Sequence, residues 1–285
     1  TTDAASLTTV VAQTNPESSS ETDTIDVSSS WSEPESVDRQ KVRNVLQELE
    51  RIGNLNFSPN RGAPAITISN PYGFGGDGGQ FFTGASFTSD TRFENSLDSD
   101  GGIGFGVALG NARKAVGLEL TYTMASLGLT DRDFGSGGFS AKVHRLIDNS
   151  TSVALGYSGF LNIGDDNDFE DSIYGVVTKI FRTRENIDSA FSRVAVSLGL
   201  GNGIYRTWEA FQDDEEQINV FGSLAFRVAK PVSFITEWTG SDLALGLSVA
   251  PFKNIPLTIT PALRDVAGGD DSINFALGVG VGFPF

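Results

Sequence analysis

The strongest constraint on the fold is the last stretch of the chain, residues 272–285, which alternates between large apolar side chains and small or polar ones. Since successive side chains of a strand point to opposite faces, this stretch predicts a strand with one apolar face and one nearly bare face. The apolar face would carry Ile273, Phe275, Leu277, Val279, Val281, Phe283 and Phe285. The other face would carry three glycines, which are too small to fill a core.

The overall composition excludes one class of membrane protein. The chain has 39% hydrophobic residues, and it has no run of about 18 to 20 consecutive apolar residues, the length that a transmembrane helix needs. A transmembrane β-barrel passes this test, because each strand needs only about 9 to 11 residues and shows lipid only every second side chain. A barrel is therefore compatible with a composition that otherwise looks soluble.

Charge and cysteine content narrow the choice further. The formal net charge of −16 argues against nucleic acid as a partner, because phosphates require a basic surface. Cysteine is absent, which excludes disulfides and thiolate metal sites. The first residues lack the positive start and apolar core of a secretory signal, so we expect a mature form from which a signal peptide has been removed.

Three regions follow one another along the chain. Residues 1–38 are acidic, rich in Ser and Thr and free of Lys and Arg, which predicts a disordered tail. Residues 39–62 are predicted to form an amphipathic helix and a linker, since apolar residues recur there every three or four positions between Val42 and Ile52. We expect this helix to pack on or in the barrel mouth; the alternative is that it docks to a partner or to the cell wall. Residues 63–285 are expected to form the barrel.

Alternation and turn residues predict about twelve strands after a glycine-rich hinge at residues 73–79. The chain is thus expected to be all-β: an antiparallel transmembrane β-barrel preceded by one short amphipathic helix and a disordered acidic N-terminal tail. We place the strands near 80–93, 101–110, 114–126, 137–147, 151–162, 171–182, 189–202, 217–229, 231–239, 242–251, 255–265 and 272–285.

The predicted connections alternate in length and charge. One end has mostly tight turns with basic residues nearby, and the other has mostly long, acidic loops. Transmembrane barrels have short periplasmic turns and longer outer loops, so the acidic loops are expected at the outer rim. The rim residues are Asp165, Asp166, Asp168, Asp213, Asp214, Glu215 and Glu216. The rim acids beginning at Asp165 could hold Ca²⁺ or Mg²⁺, but no recognised spacing is present and a solvated loop is the favoured interpretation.

Most predicted strands repeat the division into a large apolar face and a small face. We expect the apolar face to contact lipid and the small face to line the lumen; the alternative is a soluble β-sandwich. The charged residues expected to line the lumen are Glu119, Lys142, His144, Lys179, Arg193, Arg227, Glu237 and Arg264. The basic excess would favour anions. Alternatively, Arg193 and Arg227 pair with Glu119 or Glu237 across the lumen and only stabilise the wall.

No motif supports an enzyme or a cofactor. His144 is the only histidine, so it leaves one candidate base for a nucleophilic triad and excludes a multi-histidine metal site. It is expected to point inward, whereas outer-membrane phospholipase A carries its His and Ser on the lipid-facing surface. Glu119 and Glu237 could act as a glycosidase pair, but they lie on distant strands. We expect no enzyme activity and no cofactor.

Several stretches resemble known envelope proteins. The terminal strand ending in Phe285 resembles the closing strand of bacterial outer-membrane barrels, which implies that this aromatic is part of an assembly signal. Residues 68–75, 110–117 and 251–257 resemble an uncharacterised family of cyanobacterial outer-membrane β-barrel proteins. Residues 133–140 resemble a loop of YjbH-type exopolysaccharide-associated barrels. These resemblances imply an envelope location and supply no catalytic residues.

The sequence therefore predicts an outer-membrane barrel with its N-terminal tail in the periplasm. Its leading predicted function is a passive, porin-like channel for small hydrophilic solutes or ions. The alternative is a non-conducting barrel that anchors or assists envelope assembly or polysaccharide export through its N-terminal arm. Expected partners are outer-membrane lipid and lipopolysaccharide, the barrel assembly machinery and a periplasmic partner of residues 1–53. The oligomeric state is left open, and a homo-oligomer is one alternative.

Overall fold

The computed structural model describes residues 62–76, 78–89, 100–124, 136–164, 171–213, 215–268 and 273–285. The predicted acidic tail and amphipathic helix lie outside the described residues. Among the described residues, no helix has both the length and the apolar character needed to cross a membrane.

Twelve antiparallel strands within the described ranges form one closed barrel, in which each strand pairs with its neighbours in the chain and β1 pairs with β12. The prediction of about twelve strands in a single barrel is confirmed, and two packed sheets are not formed. The strands are β1 (Gln80–Thr88), β2 (Asp100–Gly110), β3 (Gly117–Met124), β4 (Gly137–Asp148), β5 (Thr151–Ile163), β6 (Ser172–Arg182), β7 (Arg193–Gly201), β8 (Asn219–Ala229), β9 (Val232–Trp238), β10 (Asp242–Val249), β11 (Leu257–Gly268) and β12 (Asn274–Pro284).

The barrel has two different ends. The short-turn end carries the connections 111–116, 149–150, 183–192, 230–231 and 250–256, and the long-loop end carries the remaining connections. One long connection, between β7 and β8, contains a 3₁₀ turn at Gly203–Tyr205 and the short helix α1 at Trp208–Gln212. The pairing of β1 with β12, which closes the barrel, is named the seam. β1 begins and β12 ends at the short-turn end.

The two faces of the wall differ as strand geometry requires. Large apolar side chains on the outside are exposed; Leu155 is 70% exposed and Leu198 is 56% exposed. Their inward neighbours are small and buried, such as Ser152 at 0% and Ala195 at 5%. An exterior this rich in exposed apolar side chains is unfavourable in water, because monomeric soluble proteins rarely expose large contiguous apolar patches.

The inner face is not bare throughout, which differs from the expectation drawn from the terminal strand. Three buried aromatic side chains point inward, and each lies directly opposite a glycine of the neighbouring strand. The pairs are Phe82 with Gly106, Tyr174 with Gly156, and Phe221 with Gly199. A Cβ atom at any of these glycines would collide with the ring of its partner. The inward glycines therefore make room for aromatic rings that fill the lumen.

An inner segment as the candidate functional site

The most distinctive part of the molecule is a stretch of chain inside the barrel, residues 62–76, which we name the inner segment. It precedes β1 and has no regular secondary structure. Ala65, Thr67, Asn70 and Tyr72 are all buried, although no strand or helix contains them. Because buried backbone must find hydrogen-bond partners, a segment in this position depends on the polar side chains of the surrounding wall.

The inner segment follows the wall around the lumen. It starts at the short-turn end, where a Cβ atom at Gly62 would lie 2.8 Å from the carbonyl oxygen of Ile255. The amide of Ala65 then donates to the hydroxyl of Ser248 on β10 at 2.7 Å. Further along, the segment contacts β8 and β9, then β6, β5, β4 and β3, before it joins β1. The first described residue of the inner segment, Gly62, therefore lies at the short-turn end.

Glu237 on β9 holds the middle of the inner segment. Its Oε2 accepts the backbone N–H of Ile68 at 2.7 Å, and its Oε1 accepts the backbone N–H groups of Ser69 at 2.7 Å and Asn70 at 2.9 Å. The hydroxyl of Ser69 also donates to Oε1 at 2.7 Å. Glu237 is 1% exposed, so its negative charge is compensated chiefly by these oriented donors. A carboxylate held in this way resembles one that caps a helix N-terminus.

A second anchor lies at Gly73. Its N–H donates to the hydroxyl of Thr178 on β6 at 2.8 Å, and its carbonyl oxygen accepts the hydroxyl of Ser152 on β5 at 2.6 Å. A Cβ atom here would collide with the backbone carbonyl of Ser152, so only glycine allows this close approach. The inner segment is thereby fixed to a second part of the wall, on β5 and β6.

A third anchor is a buried ion pair between Lys142 on β4 and Glu119 on β3, whose Nζ and Oε2 atoms lie 2.6 Å apart. Lys142 also donates to the carbonyl oxygen of Phe74 at 3.0 Å, and Glu119 accepts the N–H of Gly76 at 2.7 Å. The ammonium group lies 4.9 Å from the centre of the Tyr72 ring, within cation–π distance. The ion pair thus binds the inner segment as well as joining two strands.

His144 lies inside the barrel at 1% exposure. A Cβ atom at Gly75 would lie 2.6 Å from Cε1 of His144, so the imidazole packs closely against the inner segment. Neither ring nitrogen has a hydrogen-bond partner within the described part of the chain. No hydroxyl bonded to His144 is therefore available there to act as an activated nucleophile.

The other predicted lumen residues fall into two groups. Arg264 is buried near the long-loop end, with its Nε 4.0 Å from a carboxylate oxygen of Asp242. Arg193 and Arg227 point inward at the short-turn end. The two carboxylates of the predicted alternative, Glu119 and Glu237, bind Lys142 and the inner segment, respectively.

Lys179 is a correction, because its side chain lies on the outward face of β6 rather than in the lumen. It shares that face with the exposed Val177, and it forms an ion pair with Asp148 at 3.2 Å and a hydrogen bond to Thr151 at 2.7 Å. The two faces of β6 both carry large apolar residues, so alternation alone could not distinguish them. Tyr174, inward and buried against Gly156, sets the register that turns Lys179 outward.

Part of the predicted acidic rim is described. Asp213, Glu215 and Glu216 are exposed in the connection between β7 and β8 at the long-loop end. Asp165, Asp166, Asp168 and Asp214 lie outside the described residues. Phe285 is 75% exposed at the short-turn end, and its N–H donates to the carbonyl oxygen of Gly79 at 3.0 Å beside the seam.

The inner segment was not predicted from the sequence, in which residues 73–79 were interpreted as a hinge. The available signal was the combination of Gly73, Gly75 and Gly76 with inward carboxylates on β3 and β9. That signal becomes informative only when the fold brings Glu237 to Ser69, 168 positions away in the chain. Among the described residues, no three His, Cys, Asp or Glu side chains are grouped so that they could hold a metal ion.

Comparison of the chain with protein-family models and with curated proteins gives no match.

Proposed function

We propose that the protein is an outer-membrane barrel whose inner segment fills the lumen, and that it anchors its N-terminal arm, residues 1–61, on the periplasmic side. The exposed apolar exterior supports a membrane location. The short turns support an orientation in which the short-turn end faces the periplasm. The arm would then dock an envelope partner of the assembly or polysaccharide-export machinery.

One observation carries this proposal: the inner segment is fixed to the wall by Glu237, by Thr178 with Ser152, and by Lys142 with Glu119. A passive pore needs a continuous water path, whereas these anchors hold buried backbone inside the barrel. The same anchors would transmit a pull on the arm to the wall of the barrel. The geometry therefore favours an anchor over an open pore.

A passive channel for small hydrophilic solutes is the second candidate, and the chemistry of the wall favours it. Beneath the inner segment the wall consists largely of small and hydroxyl-bearing side chains, such as Ser197, Ser223 and Thr260. If the inner segment moved out, this wall would enclose a polar lumen.

Planar bilayer recordings and partner capture test the two candidates together. We expect the purified full-length protein to show no discrete conductance. We expect the full-length chain to retain an envelope partner that is lost when residues 1–53 are deleted, with the barrel still folded by circular dichroism. Steady conductance of the unmodified protein, without partner capture, would favour the channel and overturn the anchor.

A further inference from the structure

Two basic side chains lie on the outward face of the wall, among apolar residues that the proposed function places against lipid. Arg145 on β4 is exposed and shares the outward face of its strand with Val143 and Ile147. Lys179 on β6 also points outward, and the next outward residue of its strand is Phe181. We name Arg145 and Lys179 the outer basic pair. Charged side chains on this face of a membrane barrel are costly, so each requires a compensating group.

The outer basic pair lies within the apolar surface and not beyond its edge. Toward the short-turn end, Arg145 is followed by Ile147, which is 61% exposed, and Lys179 is followed by Phe181, which is 46% exposed. Toward the middle of the barrel, the exposed Val143 and Leu155 continue the apolar surface. Long basic side chains in this position extend to the level at which lipid headgroups meet acyl chains.

The protein does not neutralise Arg145. Within the described part of the chain, its guanidinium group forms no hydrogen bond and no ion pair. The acidic side chain that follows it on β4 is Asp148, whose carboxylate already accepts four hydrogen bonds. These come from the N–H of Ser150 at 2.6 Å, its hydroxyl at 2.8 Å, the hydroxyl of Thr151 at 2.9 Å and the amine of Lys179 at 3.2 Å. The five N–H donors of Arg145 are therefore available to an external anion.

The strand register brings the two cations near each other. Arg145 lies opposite Val153 on β5, and Val153 lies opposite Val177 on β6, two residues before Lys179. From the strand spacing and the rise per residue, the Cα atoms of Arg145 and Lys179 are about 12 Å apart. The Lys179 amine donates to the hydroxyl of Thr151 on β5 at 2.7 Å, so it extends toward β4. One anionic group can therefore lie between the two side chains.

The chemistry of the outer basic pair fits a phosphate group. A guanidinium group binds phosphate through two parallel hydrogen bonds, and an ammonium group adds a compact charge. The pair and Asp148 together carry two positive charges and one negative charge, which leaves a net charge of +1. A headgroup with one net negative charge would neutralise this excess, whereas a zwitterionic headgroup would not.

We propose that the outer basic pair binds the phosphate of one anionic phospholipid, whose acyl chains lie along Val143 and Leu155. This inference rests on the membrane location in the proposed function. It does not depend on the anchoring role of the N-terminal arm, and it adds a specific lipid site at the short-turn end.

Native mass spectrometry of the full-length protein, released from detergent micelles, tests the proposal by measuring which lipids remain bound. Phosphatidylglycerol is the anionic probe, and phosphatidylcholine with the same acyl chains is the zwitterionic one. Arg145→Gln removes the charge, and Arg145→Lys keeps the charge but loses the paired donors. The matched control Lys253→Gln removes one charge from an exposed turn at the same end of the barrel. Circular dichroism and the urea midpoint verify that each variant is folded.

We expect the natural protein to retain several-fold more phosphatidylglycerol than phosphatidylcholine. Arg145→Gln should abolish this preference, Arg145→Lys should reduce it, and Lys253→Gln should preserve it. Equal retention of the two lipids, equal effects of Arg145→Gln and Lys253→Gln, or displacement of the lipid by inorganic phosphate would each overturn this proposal alone. If the folded protein retained neither lipid, the membrane location would be overturned with it.

Discussion

Glu237 accepts hydrogen bonds from both the backbone N–H and the hydroxyl of Ser69, each at 2.7 Å, so one buried carboxylate joins the wall to the inner segment. The contact joins positions 168 residues apart. A charge buried at this depth is tolerated because oriented donors replace the water that it has lost. Stability and the filling of the lumen therefore depend on the same side chain.

Replacing Glu237 with Gln tests this dependence. The amide keeps one acceptor oxygen but turns an NH₂ group toward donors, so we expect the free energy of unfolding to fall by about 2 kcal/mol. The urea midpoint of the refolded protein measures the loss. Glu216→Gln, at an exposed position of the long-loop end, should change it by less than about 0.5 kcal/mol. Equal effects of the two variants would contradict the role of Glu237.

Removing one partner of the buried ion pair should lower the free energy of unfolding more than removing one partner of an exposed ion pair. Lys142→Met leaves the Glu119 carboxylate uncompensated, so we expect a loss of about 3 to 5 kcal/mol. Lys179→Met, which breaks the exposed pair with Asp148, should cost less than about 1 kcal/mol. A double-mutant cycle with Glu119→Gln should recover a large part of the first loss. Strict additivity of the two substitutions would show that the pair does not act as a unit.

Gly73 and Gly282 are both buried, but the space around them differs. A Cβ atom at Gly73 would meet the backbone of Ser152, whereas one at Gly282 would lie 3.7 Å from its nearest neighbours. We therefore expect Gly73→Ala to destabilise the protein by about 1 to 3 kcal/mol and to increase proteolysis of the inner segment, while Gly282→Ala is nearly neutral. Comparing the proteolysis of the two variants under conditions in which their overall stability is equal separates release of the inner segment from a general loss of stability.

The turn 183–192 should respond to acid through Asp188. Its hydrogen bond to Lys230 lowers the pKa of this carboxyl, with Lys230, Arg227 and Arg193 adding attraction and burial opposing it. Because the folded pKa lies below the unfolded value of 3.8, the stabilising effect is present above that pH and is lost as the pH falls through the folded pKa. The stability difference between the natural protein and Asp188→Asn, measured from urea midpoints, should shrink toward zero over that window. A difference independent of pH would refute this assignment.

Phe285 separates folding from assembly. Its side chain is 75% exposed and its seam contact is made by the backbone, so Phe285→Ala should leave the stability of refolded protein within about 0.5 kcal/mol. If the terminal aromatic is an assembly signal, the same substitution should strongly reduce the amount of barrel inserted in cells, measured by membrane fractionation. Normal insertion would remove Phe285 from the assembly signal.

Local pattern was sufficient for the strands but not for what fills the barrel. Alternation marked β2 and β12 because glycines or small residues occupy one whole face of each strand. It failed on β6, where both faces carry large apolar side chains: Tyr174 and Val176 on one face, Ile173 and Val177 on the other. Only the glycine opposite Tyr174 indicates which of the two faces points inward. The positions of Glu119 and Glu237 inside the barrel followed from parity. Their partners did not, because Gly76 and Ser69 meet them only after the barrel has closed around the inner segment.

The connection between the inner segment and β1 constrains the order of assembly. Gly78 donates to the carbonyl oxygen of Gly110 at 2.8 Å, and Gly79 accepts from Phe285, so the chain passes from lumen to wall within a few residues at the seam. In a barrel that had already closed, Tyr72 and Phe74 would have to enter through the short-turn end together with the backbone of the inner segment. We therefore expect β1 and β12 to pair last, after the inner segment has taken its place in the lumen. A barrel with this pairing complete would then always contain the inner segment.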